Sequence, residues 1–247
     1  MRLHLKNMVP DWLTRTELLI GAENIEKLQK SHVLIVGLGG VGAVAAEMIC
    51  RAGVGEMTIV DGDVVEPSNR NRQLPALVST DGMSKAEVLG ARFLDINPNL
   101  KLHMRNLYIR DGVTSELLHA AKYDYAVDCI DTLSPKVYYL LECMELGIPV
   151  VASMGAGGKL DPTQVKVVDI SETYNCNLAR YVRKKLHQKG FYKGLKVAFS
   201  PELPVGKITV NPEGGPKKST IGTMSYLPAA FGLAVASVVI RDLMEKK

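Results

Sequence analysis

Two rhythms of apolar and polar residues take turns along this chain. Short β-branched and apolar runs at 32–36, 56–60, 101–106, 125–129 and 149–153 are separated by stretches with helical spacing at 41–52, 84–95, 115–121 and 135–146. Strands alternating with helices predict parallel strands joined by right-handed crossovers, hence an α/β fold with a doubly wound, mostly parallel sheet. After 153 the rhythm changes. Gly155, Gly157 and Gly158 mark a loop, 164–170 reads as a strand, 177–189 as a basic helix and 196–200 as another strand. Residues 201–219, rich in Pro, Gly and Lys, predict a surface loop, and an apolar helix runs from near Pro228 to near Met244. Residues 11–28 predict one or two short leading helices. No repeat or low-complexity linker divides the chain, so 1–247 is expected to be one domain. Within it, 1–30 are N-terminal helices, 31–154 the core, and 155–247 an extension completing the sheet and the substrate side.

Composition fits this picture. At 247 residues, 47% apolar and 23% charged, the chain is ordinary for a soluble globular protein. Cys50, Cys129, Cys143 and Cys176 form no C-x-x-C pair, which argues against a zinc knuckle or redox dithiol. Their scatter suits a reducing compartment, the cytoplasm. The N-terminal MRLHLKNMVPDW lacks the apolar core and cleavage site of a signal peptide. Residues 221–240 carry no charge and are long enough to span a bilayer. They also hold Gly222, Thr223, Ser225, Pro228, Gly232 and Ser237, so a buried helix is expected rather than stable membrane insertion. The net charge of +4 identifies no nucleic-acid binder unless it is clustered.

The chemistry begins at Gly37-Leu38-Gly39-Gly40-Val41-Gly42, a glycine-rich turn that follows a strand and opens a helix. Such a turn brings backbone N–H groups to a phosphate at a helix N-terminus. The first glycine makes the tight turn, the second allows close approach, and the third lets helix and strand pack. Asp61, at the end of the next strand and followed by Gly62 and Asp63, can accept hydrogen bonds from ribose hydroxyls.

The default reading of such a turn is dinucleotide binding, but the residues after Asp61 point elsewhere. Asn69, Arg72 and Gln73, followed by Lys85, supply two cations and two amides beside the turn. Two fixed cations suit a triphosphate whose charge must be neutralised during attack on phosphorus. Asp128 and Asp131 lie at the carboxyl end of the strand 125–129, where parallel strands face the ligand crevice. Asp131 is the candidate for Mg²⁺ through one carboxylate, and Asp128 is expected to hold a metal or cap the following turn.

GLGGVG, the run D-G-D-V-V-E-P-S-N-R-N-R-Q, S-K-A-E-V at 84–88 and D-C-I-D at 128–131 together resemble the ThiF/MoeB/HesA superfamily of ATP-dependent adenylating enzymes, relatives of the ubiquitin-activating enzymes. The resemblance implies a Rossmann-like fold, ATP and Mg²⁺. It implies that Gly37, Gly39, Gly40, Gly42, Asp61, Asp63, Asn69, Arg72, Gln73 and Lys85 bind the nucleotide. Arg72, Lys85 and Asp131 are then the catalytic set, with Asp131 on the metal. Arg15, in Arg15-Thr16-Glu17-Leu18-Leu19-Ile20-Gly21, looks like the family's N-terminal arginine that reaches a neighbouring subunit's ATP, which implies a homodimer. G-A-G-G-K-L-D-P-T-Q at 155–164 and the apolar C-terminal helix resemble the branch that acts on tRNA. The implied reaction adenylates the threonyl carboxylate of the modified adenosine at position 37, next to the anticodon. Ring closure then expels AMP, with net loss of water.

The residues add their own support for RNA. Between 177 and 201 stand Arg180, Arg183, Lys184, Lys185, Lys189, Lys193 and Lys196, with no acidic residue and with Tyr181, Phe191 and Tyr192 interleaved. Such a stripe neutralises phosphates, and its aromatics can stack on the unpaired bases of an anticodon loop. The alternative within the superfamily is activation of the C-terminus of a ubiquitin-like sulfur carrier, with a sulfur-transfer partner. Outside it stands a redox or regulatory dinucleotide-binding protein. Cys176 is expected to be a non-catalytic loop thiol, and the other cysteines core. His103, His119 and His187 show no metal-ligand spacing.

Overall fold

The computed structural model describes residues 9–110, 112–206, 208–210 and 219–246. Residues 1–8 and, within the predicted loop 201–219, residues 207 and 211–218 lie outside them. Among the described residues seven strands form one mixed sheet: β1 (His32–Val36), β2 (Glu56–Val60), β3 (Lys101–Arg105), β4 (Tyr125–Asp128), β5 (Val150–Ser153), β6 (Lys166–Asp169) and β7 (Lys196–Phe199). Their order is β3-β2-β1-β4-β5-β7-β6, parallel throughout except for β6, which runs antiparallel to β7. The order reverses between β1 and β4, the place where open α/β sheets bind ligands.

Every residue of β1 is buried, as a central strand covered on both faces requires. Alternation divides the core. Val33, Ile35, Met57, Ile59, Tyr125, Val127, Val151 and Ala198 pack with α2 (Gly42–Arg51), α3 (Lys85–Ile96) and α7 (Tyr226–Glu245). Leu34, Val36, Val60, Ala126, Ala152, Val197 and Phe199 face α4 (Val113–His119), α5 (Leu133–Glu145) and α6 (Asn177–His187) on the other side. Helix α1 (Thr14–Gln29) is two helical pieces joined at Gly21, whose φ of 80° and ψ of 159° are not helical. Its Lys27 ammonium donates to the Met244 carbonyl at 3.0 Å, satisfying a C-terminal carbonyl of α7.

Helix α7 is, among the described residues, the one helix long and apolar enough to cross a membrane. It instead buries Leu227, Phe231, Val235, Val238, Val239 and Leu243 against α2 and the sheet. Two glycines permit that approach. A Cβ on Gly232 would lie 2.6 Å from the Val41 carbonyl oxygen, and one on Gly40 would lie 2.9 Å from Pro228 Cβ.

The structure shifts two expectations. The predicted strand 164–170 is shorter, because short 3₁₀ turns (Pro162–Gln164 and Ile170–Glu172), capped by Asp161 and Asp169, take both ends. Part of the predicted loop 201–219 is a two-stranded antiparallel ribbon, β8 (Ile208–Val210) with β9 (Ser219–Ile221). Its pairing partners flank the Pro/Gly-rich stretch, so composition alone reads as loop.

Substituting Gly232→Val is expected to overpack the α2–α7 contact and lower stability by about 1–3 kcal/mol. A urea midpoint unchanged from wild type would show that α7 does not depend on this approach.

Candidate active site

The glycine turn 37–42 leaves β1 at the switch point. Gly37 has φ of 90°, and a Cβ there would lie 2.7 Å from the Cys129 carbonyl oxygen. A Cβ on Gly42 would lie 1.7 Å from the Gly37 carbonyl oxygen. No side chain fits either place, which matches the expected roles of the first and last glycines. Gly39 is different. The nearest atom to its Cβ position is Gln73 Nε2 at 3.8 Å, ordinary contact, so this backbone is open on the crevice side.

The acidic end of β2 is tied to that turn. Asp61 Oδ2 accepts the Leu38 N–H at 2.6 Å, and Oδ1 accepts the Asp63 N–H at 2.8 Å. Burial pushes the Asp61 carboxyl above its ordinary range, while those two N–H donors and Lys85 pull the other way. Each oxygen keeps a lone pair for a further donor.

The polar run forms a tight scaffold. Asn69 is buried; its Oδ1 accepts the Glu66 N–H at 3.2 Å and its carbonyl accepts the N–H groups of Arg72 and Gln73, both at 3.0 Å. Asn69 therefore shapes the loop that carries the other two. Arg72 Nη1 donates to the Ser68 carbonyl at 3.1 Å and to Asn71 Oδ1 at 2.7 Å. Asn71 in turn donates to the Thr223 carbonyl at 3.0 Å, tying the run to the segment before α7. Gln73 Oε1 is buried without a hydrogen-bond partner among the described residues, an acceptor that a ligand donor would satisfy. Lys85, at the start of α3 behind the Ser84 N-cap, is only 4% exposed, and its Nζ lies 2.9 Å from Asp63 Oδ2. Asp63 thus holds the lysine as well as standing in the predicted nucleotide set.

At the end of β4 the two aspartates separate in role. Asp128 is fully buried and its Oδ1 accepts the Ile130 N–H at 3.0 Å, the turn cap expected of it. Its Oδ2 lies 2.7 Å from Nζ of Lys136, which is also 0% exposed and donates to the Ile130 carbonyl at 2.9 Å. Burial raises the Asp128 carboxyl against the pull of Lys136. Sequence reasoning missed Lys136; its only trace is a lysine in the apolar face of the following helix. The pair fixes the loop that carries Asp131, whose side chain is exposed at the rim. Cys129, partly rather than fully buried, has its thiol pushed up to about 12 by burial.

The turn, Asp61, Asp63, Asn69, Arg72, Gln73, Lys85 and the 128–131 loop therefore meet through direct contacts at one rim. Arg15 and the basic side chains of α6 make none of these contacts. Arg15 is exposed on the first half of α1, beside Leu18 and Leu19, each 84% exposed.

The extension reaches the rim twice. Because β6 is antiparallel, the 154–165 loop after β5 stays at the rim, and Lys159 pins it. The buried Lys159 ammonium donates to the carbonyls of Ser200, at 2.9 Å, and Glu202. Glu202 carboxylate oxygens accept the N–H groups of Leu160 and Asp161 at 2.9 and 3.0 Å. After β6 the chain climbs back. Tyr174 lies edge-on to Phe199, with ring centroids 5.8 Å apart, and Asn175 donates to the Pro201 carbonyl at 3.2 Å. Helix α6 then starts at the rim, where a Cβ on Gly155 would lie 3.9 Å from the buried Cys176 thiol.

Along α6 the basic residues descend from the rim over about 16 Å. Arg180, Arg183, Lys184, His187, Gln188 and Tyr192 line an open cleft of about 480 Å³. Arg180 lies 5.0 Å over the Tyr181 ring, and the Tyr192 and His187 rings are 5.1 Å apart. Arg183 is turned inward: its Nη1 donates to the Thr173 carbonyl at 2.7 Å, to Thr173 Oγ1 at 2.6 Å and to the Ile170 carbonyl at 3.3 Å. It anchors the helix, while Arg180, Lys184 and Lys185 carry the stripe's outward charge.

The ThiF family description matches residues 13–247. The tRNA threonylcarbamoyladenosine dehydratase of Bacillus subtilis (strain 168) is 38% identical over 240 residues, covering 94% of each chain. The solved structure of the Escherichia coli tRNA N6-threonylcarbamoyladenosine dehydratase, TcdA, in complex with ATP superposes with a TM-score of 0.83 at 31% identity, covering 94% of this chain and 93% of that one. The adenylyltransferase and sulfurtransferase MOCS3 of Drosophila virilis is 41% identical over 138 residues, but these are 55% of this chain and 29% of that protein.

Replacing Lys136 by Met is expected to leave Asp128 buried and unpaired, at a cost of about 3–5 kcal/mol in urea unfolding. The double change Asp128→Leu/Lys136→Met should recover most of that loss; two additive losses would show the pair is not a unit.

Proposed function

The chain belongs to the ThiF family, and from that membership we propose that it is an ATP-dependent tRNA threonylcarbamoyladenosine dehydratase. The observation that carries this reading is similarity to such a dehydratase over 94% of both chains. Likeness to the adenylyltransferase and sulfurtransferase stops at 55% of this chain, which favours the dehydratase reading over the sulfur-carrier one.

The reaction joins the threonyl carboxylate of the modified adenosine to the α-phosphorus of ATP, releasing pyrophosphate. The activated side chain closes on itself and expels AMP, so water is lost overall and ATP is consumed, the balance of a ligase-type enzyme. The open backbone at Gly39 and the N–H groups around it receive phosphate oxygens, and Asp61 takes the ribose hydroxyls. Gln73 offers its unpartnered oxygen to a nucleotide donor. Arg72 and Lys85 neutralise charge as pyrophosphate departs, with Asp63 keeping the lysine aimed along the rim. A Mg²⁺ ion suits Asp131, a hard carboxylate exposed at the rim on a loop that Asp128 and Lys136 hold still. Bound there with phosphate and water as its other ligands, it would lower the negative charge on the phosphates.

The acceptor comes from the extension's side. Position 37 of tRNA enters at the rim, and the anticodon loop follows the basic cleft of α6 downward. Arg180, Lys184 and Lys185 meet phosphates; Tyr192 and His187 offer a stacking surface. We infer that the working unit is a homodimer, supported by the exposed Leu18 and Leu19 beside Arg15, with Arg15 reaching the neighbour's ATP. Cytoplasmic residence follows from the substrate, and a sulfur-transfer protein is a further candidate partner.

Incubation with threonylcarbamoyladenosine-bearing tRNA and Mg-ATP should yield a nucleoside lighter by one water in mass spectrometry; ATP consumption that answers only to a carrier protein would move the assignment to the alternative. Arg72→Ala and Asp131→Ala should each abolish turnover with an unchanged circular dichroism spectrum, and near-normal turnover in both would remove these residues from the site. Neutralising Arg180, Lys184 and Lys185 together should weaken tRNA binding and reduce the salt slope by about 2. An unchanged slope would show the stripe to be merely solvated.

A further inference from the structure

At the opposite rim of the sheet, three side chains from three adjacent strands converge. His32 opens β1, Glu56 opens β2, and His103 stands in the middle of β3. The parallel register sets His32 beside Glu56 and His103 beside Thr58. One ligand atom from each of His32, Glu56 and His103 lies within 4.8 Å of the others. Glu56 Oε1 is 2.8 Å from His103 Nε2 and 3.5 Å from His32 Nδ1. Sequence spacing could not reveal this group, because its members are joined only by strand pairing.

We propose that His32, Glu56 and His103 form a binding site for a borderline divalent transition-metal ion such as Zn²⁺, clasping the edge of the sheet. Two imidazoles and one carboxylate are a zinc-type donor set that leaves a position for water. Metal–ligand bonds of about 2.0–2.1 Å place tetrahedral ligand atoms roughly 3.3–3.5 Å apart. The His32–Glu56 separation already fits, and a small rotation of the half-exposed His103 opens the other.

The surroundings prepare His32 for the role. Its Nε2 is 2.8 Å from Thr58 Oγ1, and its ring lies 4.7 Å from that of Tyr123. When Nε2–H donates to the hydroxyl, the Nδ1 lone pair faces the Glu56 oxygen, and two acceptors so placed call for a cation between them. Burial lowers the His32 pKa, with His103 and Lys101 adding to that effect and Glu56 and Asp124 opposing it, which favours the neutral ring.

One neighbour competes. Lys101 Nζ lies 2.9 Å from Glu56 Oε1, supplying the counter-charge that a metal would replace. The site is roughly 16 Å from Asp61 along β2, so loading it can be read separately from ATP binding. Its consequence would be to fasten edge strand β3 to the buried strands β2 and β1.

Titrating Zn²⁺ into the full metal-free chain under reducing conditions should show one site, with heat-denaturation temperature rising with Zn²⁺ concentration. Glu56→Gln and His103→Ala should each weaken binding at least ~10-fold, and Thr58→Val by about 10-fold through loss of ring orientation. Lys101→Met, on the exposed side, should tighten it. Co²⁺ should give a tetrahedral spectrum without thiolate charge transfer. ATP binding by His103→Ala reports that the variant is folded. Zn²⁺ binding that is absent in both wild type and Lys101→Met, that survives His103→Ala unchanged, or that shows a thiolate band with Co²⁺ would overturn the proposal. If His103→Ala does not fold, the direction of the Lys101→Met effect decides: unchanged or weaker binding rejects the site.

Discussion

Backbone lies against backbone at the switch point of this sheet, and the absence of Cβ atoms is what allows it. The Gly37 turn touches the Cys129 carbonyl, Gly42 sits on Gly37, and Gly40 admits Pro228 of α7. With any larger residue, β1, the loop after β4 and α7 would move apart, because interiors do not compress. The crevice we propose for the nucleotide is the outer face of that contact. Gly39, the one glycine of the turn with ordinary space in front of it, marks where the packing stops and where the proposed ligand would find room.

Charge follows the same division. Asp128 and Lys136 are wholly buried and are committed to each other and to the Ile130 peptide. An ion pair of that kind contributes little net stability, yet losing one member is costly, so its value lies in holding one arrangement. Lys85 and Asp63 resemble it chemically, but Asp63 is 46% exposed. In the proposed ATP site that pairing would be open to exchange with a phosphate. One pair sets a loop; the other keeps a cation at hand.

How much of this was legible in the sequence depended on how local each cause is. The glycine turn, Asp61 and the helix that opens at Lys85 rest on short spacings, so they could be read directly, as could the alternation that builds the sheet. Lys136 could not, since its partner is supplied by packing α5 on β4. The Lys159–Glu202 crosspiece joins two loops far apart in sequence, and the β8–β9 ribbon is paired across a Pro/Gly-rich stretch. Arg183 looked like one more cation of a stripe until the Thr173 carbonyl turned it inward. Asn69 reads as a phosphate ligand in the sequence; its contacts in the structure are those of the scaffold that carries Arg72.

The reversed strand β6 has a wider consequence. In an all-parallel sheet each crossover gives the ligand rim one connection and spends the next on the far side. Reversing one strand lets two successive connections, 154–165 and 173–176, visit the same rim. Both are held by loop-to-loop contacts rather than by the glycine turn. On the proposed reading, the half of the molecule that would grip the nucleotide and the half that would choose the acceptor are thus separately adjustable, and lengthening one loop would redirect the chemistry to a new acceptor while leaving the nucleotide's seat as it was.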